Sequence, residues 1–391
     1  MVLRPLARVP SMSRGERFTM PYQQPVRVTE VTVSRLPVNH RGDWIFVQLT
    51  DAEGRMGFGE ASHSGNDDAT IALLTGPLRA PVYDVAWDDP ATAWAMLDGA
   101  APAGTPRRVA ATAASAVEQA LWDLRAQQEG VRLATLLGAS PQTLTVPLYA
   151  NINRATVDRS PAGFASNAGL AVQDGFRAVK LAPFDEVVYG TPPDDRRRLA
   201  EMGLARVAAV REQVGPDVRV MVDCHWRFDV SSALAVASVL AELRVTWLED
   251  PVPYEDGPED TLAVRKAAPL PVATGERLIS AAAFEPFLAA GAAEFYLPDV
   301  KHIGGIGELL KLAAASRDRG VWITPHNPSG PISTLASASA LASVPHAAPL
   351  EFAWGEAAWR PDVLDPPERT EGGALMLPIG RPGLGARLAP R

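Results

Sequence analysis

Five ionisable residues follow one another along the chain at a nearly constant spacing. Asp223, Glu249, Glu276, Asp299 and His326 stand 26, 27, 23 and 27 residues apart. Each stands at or just after the end of a short apolar run, although a buried carboxylate is costly unless it is paired or holds a metal. Each step is about one strand plus one helix, so we expect the five side chains to project into one mouth at the carboxyl ends of neighbouring strands. A single acid at a strand end is usually a helix cap, but five in register predict a shared site.

Three of these residues are carboxylates with no thiol or paired histidine nearby: Asp223, Glu249 and Glu276. Together they would repel one another strongly unless a cation lay between them. An all-oxygen set of ligands with open positions is typical of Mg²⁺. The alternative is a structural ion-pair cluster with Arg227 or Arg277.

The other two residues, Asp299 and His326, stand on adjacent predicted strands. A carboxylate bonded to one ring nitrogen fixes the tautomer of a histidine and raises the basicity of the other nitrogen. The pair therefore predicts a general base. The alternative is a core histidine bonded to a backbone carbonyl, but the stretch "TPHNPSGP" favours a loop.

Composition limits the classes of function. The chain has 391 residues, a net charge of −8 and no apolar run long enough for a membrane helix, so neither nucleic acid nor a membrane is an expected partner. The single cysteine, Cys224, excludes an internal disulfide and indicates a cytoplasmic protein. We interpret Cys224 as a buried strand residue rather than a reactive thiol.

The pattern of elements predicts two domains. Residues 26–145 begin with alternating strands typical of an antiparallel meander and continue into a helix that ends at Gly130. Eight short apolar runs separated by Ala- and Leu-rich helical stretches follow, and they predict a modified TIM-type eight-stranded α/β barrel over 146–352. The runs are 146–150, 177–182, 218–223, 245–249, 271–276, 294–298, 321–325 and 348–352.

An open doubly wound sheet is the alternative fold, but no Gly-x-Gly-x-x-Gly follows an early strand. We interpret the glycines of "HIGGIGE" (302–308) as a tight turn into a helix. Residues 1–25 are predicted to form a loose tail. The Pro- and Gly-rich residues 353–391 are expected to pack against the N-terminal domain and to complete an α+β capping domain.

These motifs together resemble the enolase superfamily, in its mandelate racemase subgroup, over nearly the whole chain from about residue 26. The resemblance is carried by "GFGEAS", "SAVEQALWDL", "MVDCHWRF", "WLEDPVP", "ATGERL", "LPDVKHIGGIGE", "TPHNPSGP" and "PGLG". It implies a capping domain built from both chain ends over the barrel, and a bound Mg²⁺. It also implies a first step in which a base removes the proton α to a carboxylate while the metal holds the enediolate.

Lys180 begins a motif of this family that the chain carries only in part. Many members have Lys-x-Lys on the second barrel strand, where the second lysine is a base, but here Ala182 stands at that position. Alanine cannot accept a proton, so a racemase with bases on both faces is disfavoured. The resemblance leaves Lys180 to neutralise the substrate carboxylate or the enediolate. The alternative is a barrel-wall lysine paired with a metal carboxylate.

His225, two residues after Asp223, stands where many relatives have asparagine. A histidine there resembles the dehydratases of sugar acids such as galactonate and mannonate, in which it protonates the departing 3-hydroxyl group. A positioned imidazolium can supply that proton at neutral pH. The alternative is that His225 only donates a hydrogen bond to a substrate hydroxyl.

The resemblance implies three further site residues. Glu351 would bond the substrate carboxylate and would have to be protonated, through desolvation or neighbouring carboxylates. The alternative for Glu351 is a surface acid. Asn151 and His63 would contact the distal end of the substrate.

The expected function is a Mg²⁺-dependent dehydration of an aldonate or aldarate to a 2-keto-3-deoxy acid through an enediolate. The substrate is thus a small hydroxy-carboxylate, and we expect a homo-oligomer. Alternatives are an epimerase or lactone cycloisomerase of the same superfamily, or a non-catalytic ligand-binding descendant.

Overall fold

An antiparallel sheet opens the part of the chain that the computed structural model describes, which is residues 24–40, 42–83 and 85–390. The predicted tail lies outside these residues except for its last two. The strands of the sheet are β1 (Val26–Asn39), β2 (Gly42–Asp51), β3 (Met56–Glu60) and β4 (Ala86–Trp87). Their order is β3-β2-β1-β4 and every pairing is antiparallel, which confirms the predicted meander.

A long buried helix covers this sheet. The helices of the region are α1 (Asp67–Thr75), α2 (Arg79–Val82), α3 (Ala93–Ala100), α4 (Arg107–Gln128) and α5 (Leu133–Leu136). Helix α4 is the predicted one, and Gly130 just beyond its end has a φ of 67°. The sheet approaches α4 closely because β3 has glycines there: a Cβ on Gly59 would lie 1.9 Å from the carbonyl oxygen of Ala116.

Eight parallel strands follow and close into a barrel. They are β5 (Thr145–Asn151), β6 (Ala178–Leu181), β7 (Arg219–Asp223), β8 (Leu248–Glu249), β9 (Val272–Thr274), β10 (Phe295–Tyr296), β11 (Trp322–Ile323) and β12 (Leu350–Phe352). Neighbours pair in chain order from β5 to β11, and β12 pairs with β5. A parallel bridge between Ile323 and Ala347 joins the seventh and eighth strands, so the ring is closed. The predicted barrel is confirmed and the open doubly wound sheet is excluded.

One helix follows each of the first seven barrel strands. These helices are α6 (Pro161–Gln173), α7 (Pro193–Val214), α8 (Val230–Glu242), α9 (Glu259–Ala267), α10 (Glu285–Ala290), α11 (Ile306–Ser316) and α12 (Pro331–Leu341). After β12 the chain forms a short 3₁₀ helix at Arg360–Val363 instead. Further 3₁₀ turns are Pro90–Thr92, Ala281–Phe284 and Arg317–Arg319. Within the described ranges, no helix is both long and apolar enough to cross a membrane.

The C-terminal segment contacts both parts of the protein. Its strands are β13 (Leu364–Asp365), β14 (Thr370–Glu371), β15 (Ala374–Met376) and β16 (Arg387–Leu388). Strand β15 pairs antiparallel with the start of β5. On the other side, the ring of Trp359 lies 5.4 Å from that of Trp44, and the N–H of Leu384 donates to Asp123 at 2.8 Å. These contacts agree with the expected return to the N-terminal domain, while the domain boundaries themselves stay a prediction.

Glu118, in the middle of α4, joins the N-terminal domain to the barrel. Its buried carboxylate accepts the backbone N–H groups of Ile306 and Gly307, both at 2.7 Å, at the start of α11. The preceding glycines make room: a Cβ on Gly305, where φ is 89°, would lie 2.0 Å from Glu118. The "HIGGIGE" stretch is therefore a tight turn, as predicted. Burial raises the pKa of Glu118 to about 8, although the N–H donors act in the opposite direction.

Glu60, at the end of β3, makes a second contact of the same kind. Its carboxylate accepts the N–H groups of Gly330 at 2.7 Å and Ser333 at 2.9 Å, which open α12. The amino ends of helices carry unpaired N–H groups and a partial positive charge, so buried acids stabilise them. Two carboxylates of the N-terminal domain thus satisfy the ends of two consecutive barrel helices.

We expect Glu118→Gln to lower the free energy of unfolding by about 1–3 kcal/mol, because its amide NH₂ would face a backbone N–H. The folded pKa of about 8 exceeds the ordinary 4.5, so the folded wild type binds more protons between these values and loses stability as pH rises through them. The difference between wild type and variant should therefore be larger at about pH 5 than at about pH 8 in urea denaturation.

The control for this experiment is Glu201→Gln, an exposed change in α7. It should leave the free energy of unfolding near that of the wild type. Equal stabilities of the two variants at both pH values would contradict the structural role of Glu118.

Candidate active site

Three carboxylates converge at the carboxyl ends of neighbouring strands. Asp223 and Glu249 end β7 and β8 and are directly paired in register, and Glu276 follows β9. One carboxylate oxygen from each lies within 4.8 Å of the others, and all three side chains are buried. The chain turns after β9 at Gly275, where φ is 117° and a Cβ would meet the ring of Phe284 at 2.5 Å. The sequence-predicted metal residues are therefore together.

The electrostatics of the triad fit a cation. Burial raises the pKa of Glu249 well above its ordinary value, and neighbouring carboxylates add to this while Lys180 opposes it. Oε2 of Glu276 is buried and has no well-directed hydrogen bond, with Nε2 of His326 at 3.0 Å. Such crowding of buried oxygens is unfavourable without added positive charge. The donor set is all oxygen, which suits a hard divalent cation.

The alternative ion-pair cluster is wrong, because neither arginine contacts the triad. Arg227 donates instead to the carbonyl oxygens of Asp185 and Val187. Arg277 pairs with Glu255 at 2.7 Å and lies over the ring of Trp226, 3.3 Å from its centroid.

Lys180 lies among the carboxylates. Its Nζ is 2.5 Å from Glu249, 2.9 Å from Glu351 and 4.0 Å from Asp223, and the side chain is buried. Burial opposes its charge, but Glu249 and Glu351 together hold the pKa of Lys180 well above its ordinary value. The contact with Glu249 is the one expected from the alternative interpretation, in which Lys180 is a barrel-wall lysine paired with a metal carboxylate.

The expectation that Glu351 is protonated is wrong. Its carboxylate is buried, which would raise its pKa, but it receives only donors: Lys180, the Nδ2 of Asn151 at 2.6 Å and the N–H of Asn327 at 2.7 Å. The charge of Lys180 and these bonds hold the pKa of Glu351 below its ordinary value. The surface alternative is excluded as well, because the side chain is fully buried.

The predicted pair of Asp299 and His326 is present. Nδ1 of His326 lies 2.8 Å from Oδ2 of Asp299, whereas its other ring nitrogen points toward Glu276. Since an ionised carboxylate only accepts, Nδ1 of His326 donates to Asp299. The bond to a backbone carbonyl that was the alternative is therefore excluded.

Two residues that sequence reasoning missed complete this pair. Nζ of Lys301 lies 2.9 and 2.8 Å from the two oxygens of Asp299, and it also contacts Ser329. Nε2 of His302 lies 3.6 Å from Asp299. Burial opposes ionisation, yet His302, Lys301 and His326 together hold the pKa of Asp299 well below its ordinary value. The signal for Lys301 was its position two residues after Asp299.

His225 is presented by an unusual stretch of backbone. His225 and Trp226 have φ values of 48° and 58°, in a region that residues other than glycine seldom adopt. Its Nε2 lies 3.0 Å from Asp223, and 32% of its side chain is exposed. Burial would lower the pKa of His225, but Asp223 raises it. The preceding Cys224 is buried, and burial raises its pKa well above the ordinary value. It is therefore buried, as expected, but it lies one residue beyond the end of β7 rather than within the strand.

A cavity of about 140 Å³ opens beside these groups. Seven of the ten predicted site residues line it: His63, Asn151, Lys180, Asp223, His225, Asp299 and His326. Ala182 lines it too. It is also lined by residues that sequence reasoning missed, namely Arg108, Asn153, Arg154, Lys301, His302 and Pro328.

The two predicted substrate contacts are already bonded to protein groups. Asn151 donates to Glu351 and accepts the N–H of Asn153 at 2.9 Å. His63, at a φ of 63°, has its Nε2 3.2 Å from Nη1 of Arg154. Burial, and then Arg154, hold the pKa of His63 well below its ordinary value, so its ring is neutral at pH 7.

The fold and site together define a barrel protein whose strand ends combine a buried carboxylate triad that could hold a metal ion with a histidine bonded to a carboxylate. Family models agree over most of the chain. The model "Mandelate racemase / muconate lactonizing enzyme, N-terminal domain" matches residues 19–138, and "Enolase C-terminal domain-like" matches residues 163–391. The chain belongs to the mandelate racemase/muconate lactonizing enzyme family of the enolase superfamily, as its motifs suggested.

Curated relatives extend this comparison. A D-gluconate dehydratase of Thermoproteus tenax is 33% identical, and the match covers 72% of this chain. The chain spans only 55% of the length of that protein. A D-xylonate dehydratase of Haloferax volcanii is 30% identical over 93% of this chain and 88% of its own. A D-galactonate dehydratase of Verminephrobacter eiseniae is 32% identical, and the match covers 78% of this chain and 76% of that protein.

Solved structures share the fold. The crystal structure of an enolase superfamily member from Salmonella Typhimurium superposes with a TM-score of 0.81, covering 93% of this chain and 96% of that one. The two sequences are 23% identical, so the likeness concerns the fold alone.

Proposed function

We propose that this protein is a Mg²⁺-dependent dehydratase that converts an aldonic or aldaric acid into a 2-keto-3-deoxy acid. One observation carries the proposal: the paired base His326 and the second histidine His225 line the same cavity beside the carboxylate triad. Elimination of water needs a base at one carbon and an acid at the next. The relatives that are named as dehydratases of gluconate, xylonate and galactonate support the substrate class.

Asp223, Glu249 and Glu276 would hold the Mg²⁺. When bound, the ion supplies positive charge that stabilises the negative charge developing on the substrate carboxylate. Lys180 adds a buried cation on the same side, and Glu351 orients Lys180 and Asn151 through the contacts described above.

His326 is the proposed base. Because Nδ1 donates to Asp299, Nε2 is the ring nitrogen left to accept a proton, and it lies on the side of the carboxylate triad, 3.0 Å from Glu276. Nε2 takes the proton from C2 of the substrate, and the electron pair of that C–H bond enters the enediolate. Lys301 supports this role by keeping Asp299 ionised.

His225 is the proposed acid. Its side chain is reachable from the cavity, and its pairing with Asp223 favours the imidazolium form. As the C3–O bond breaks, His225 gives its proton to the departing hydroxyl, which leaves as water, and the electrons of the enediolate form the C2–C3 double bond. The resulting enol tautomerises to the 2-keto-3-deoxy acid.

A metal triad with a single histidine base could also serve two other reactions of the superfamily, epimerisation and lactone cycloisomerisation. Ala182 lines the cavity where a second base would be needed for proton transfer between faces. Elimination needs no such base, so this residue favours dehydration. We further propose that the protein is cytoplasmic and a homo-oligomer.

Mg²⁺ should bind to the wild type in isothermal titration calorimetry. We expect Glu276→Gln to weaken this affinity by more than about tenfold, because even changes next to metal ligands have effects of that size. The exposed, matched change Glu255→Gln should have no effect, and His326→Asn should keep the affinity of the wild type. Equal binding by Glu276→Gln and the wild type would remove the assignment of the triad.

Turnover of a library of aldonic and aldaric acids should yield a keto acid that reacts with semicarbazide. We expect no keto acid from His326→Asn. Its retained Mg²⁺ binding would show that the fold of this variant is intact. In D₂O an epimerase would instead release the deuterated epimer of the substrate, and a non-catalytic descendant would give neither signal. Either outcome would overturn the proposed dehydration.

His225→Gln should separate the two chemical steps. We expect keto-acid formation to fall by about 10²- to 10⁴-fold, the usual contribution of a positioned acid. Exchange of the C2 proton of recovered substrate with D₂O should continue, because His326 is unchanged. If His225 only binds a hydroxyl, exchange and elimination will fall together.

A further inference from the structure

We infer that the cavity holds a second anionic subsite, built around Arg108 and Arg154, which selects a dicarboxylic sugar acid over a monocarboxylic one. The inference rests on the proposed function and names the substrate class within it. It concerns the end of the cavity away from the carboxylate triad.

Arg108 has no acidic partner. It lines the cavity and is half-buried, and among the described residues its guanidinium has one hydrogen bond, a long one of 3.5 Å from Nη2 to the carbonyl oxygen of His63. No carboxylate of the described residues forms an ion pair with it. Its neighbour Arg107, by contrast, pairs with Asp98 and lies over the ring of Trp94.

The position of Arg108 in the helix is also unfavourable for its charge. It is the second residue of α4, at the amino end, where the helix dipole is positive and acids rather than cations are stabilising. The first turn of α4 contains no acidic residue. Helix stability therefore does not explain a cation at this position. An anion in the cavity, by contrast, would be attracted both by the guanidinium of Arg108 and by the positive end of the helix dipole.

Arg154 brings a second guanidinium to the same place. Only its Nη1 is engaged, with Glu356 at 2.5 Å and with His63 at 3.2 Å, and its Nε and Nη2 have no partner among the described residues. His63 thus touches Arg108 through its carbonyl oxygen and Arg154 through its ring. Burial keeps that ring neutral, so it adds no charge between the two guanidiniums. Glu356 forms an ion pair with Arg154, whereas Arg108 has no such partner among the described residues.

The barrel places Arg154 opposite one of the metal residues, Glu276. Arg154 follows β5, which is four strands away from β9 in the closed ring, and Glu276 follows β9. Arg108 belongs to the N-terminal domain above the mouth. The two acids that line the cavity, Asp223 and Asp299, are at strand ends and already pair with His225 and with Lys301.

A sugar acid with its C1 carboxylate at the triad and C2 at His326 extends toward the two arginines. The hydroxymethyl end of an aldonate would leave Arg108 unneutralised in a partly buried place. The second carboxylate of an aldarate accepts from both guanidiniums. The substrate class that matches the charges is therefore an aldaric acid.

The test compares kcat/KM for an aldarate and for the aldonate of the same chain length and stereochemistry. We expect the wild type to favour the aldarate by about 10- to 100-fold, the range for a charged hydrogen-bonded contact. Arg108→Gln should reduce this ratio about tenfold or more, mainly through KM, and Arg108→Lys should restore part of it. The matched change Arg107→Gln should leave the ratio unchanged.

Binding without turnover gives an independent measurement. In His326→Asn with Mg²⁺, calorimetry should show tighter binding of the aldarate than of the aldonate, and Arg108→Gln in that background should remove the difference. Preference for the aldonate, or a ratio that Arg108→Gln does not change, would overturn the second subsite while leaving the dehydratase in place.

Two further outcomes have distinct meanings. A phosphorylated aldonate that binds and reacts better than the aldarate would identify the anion as phosphate and overturn the choice of a dicarboxylate. If aldarate and aldonate bind but neither yields a keto acid in the wild type, the proposed function fails, and the binding ratio still decides the subsite.

Discussion

The arrangement of charge at the strand ends depends on one constraint: buried carboxylates must have positive charge beside them. Five buried acids of the predicted site meet there, namely Asp223, Glu249, Glu276, Asp299 and Glu351, and the buried Asp250 directly follows Glu249. Among the described residues, two buried lysines, Lys180 and Lys301, pair with them. Although burial opposes its charge, His225, whose pKa is raised by Asp223, offsets part of the remaining charge. A divalent cation within the triad would supply the rest, and this need explains why strands that are otherwise apolar end in acids.

Helix α4 connects this charged centre to the rest of the molecule. It packs against the glycines of β3, and its Glu118 holds the amino end of α11 while Glu60 holds that of α12. The N-terminal domain is therefore attached to the barrel by buried, directional bonds. The same helix begins with Arg108 at the cavity, so the bonds that fix its middle also fix where a substrate meets its amino end.

Much of the site could be predicted because the strand-helix units repeat at a nearly constant length. The spacing of residues along the sequence therefore indicates where they lie in the barrel. The triad and the pair of Asp299 and His326 came from that regularity, and the structure brings them together. The protonation of Glu351 was predicted wrongly, since its donors arrive from three distant segments that no local pattern connects. Arg108 was missed because its nearness to the cavity depends on how the two domains pack, and Arg154 because it lies in the irregular loop after β5, where no spacing pattern marks it.

The most direct test of this account is a crystal structure grown with Mg²⁺. We expect one ion with an oxygen of Asp223, Glu249 and Glu276 each at about 2.1 Å, the usual Mg–O distance, and Lys180 still bonded to Glu351. An ion bound elsewhere, with Lys180 still between the acids as their sole counter-charge, would contradict it.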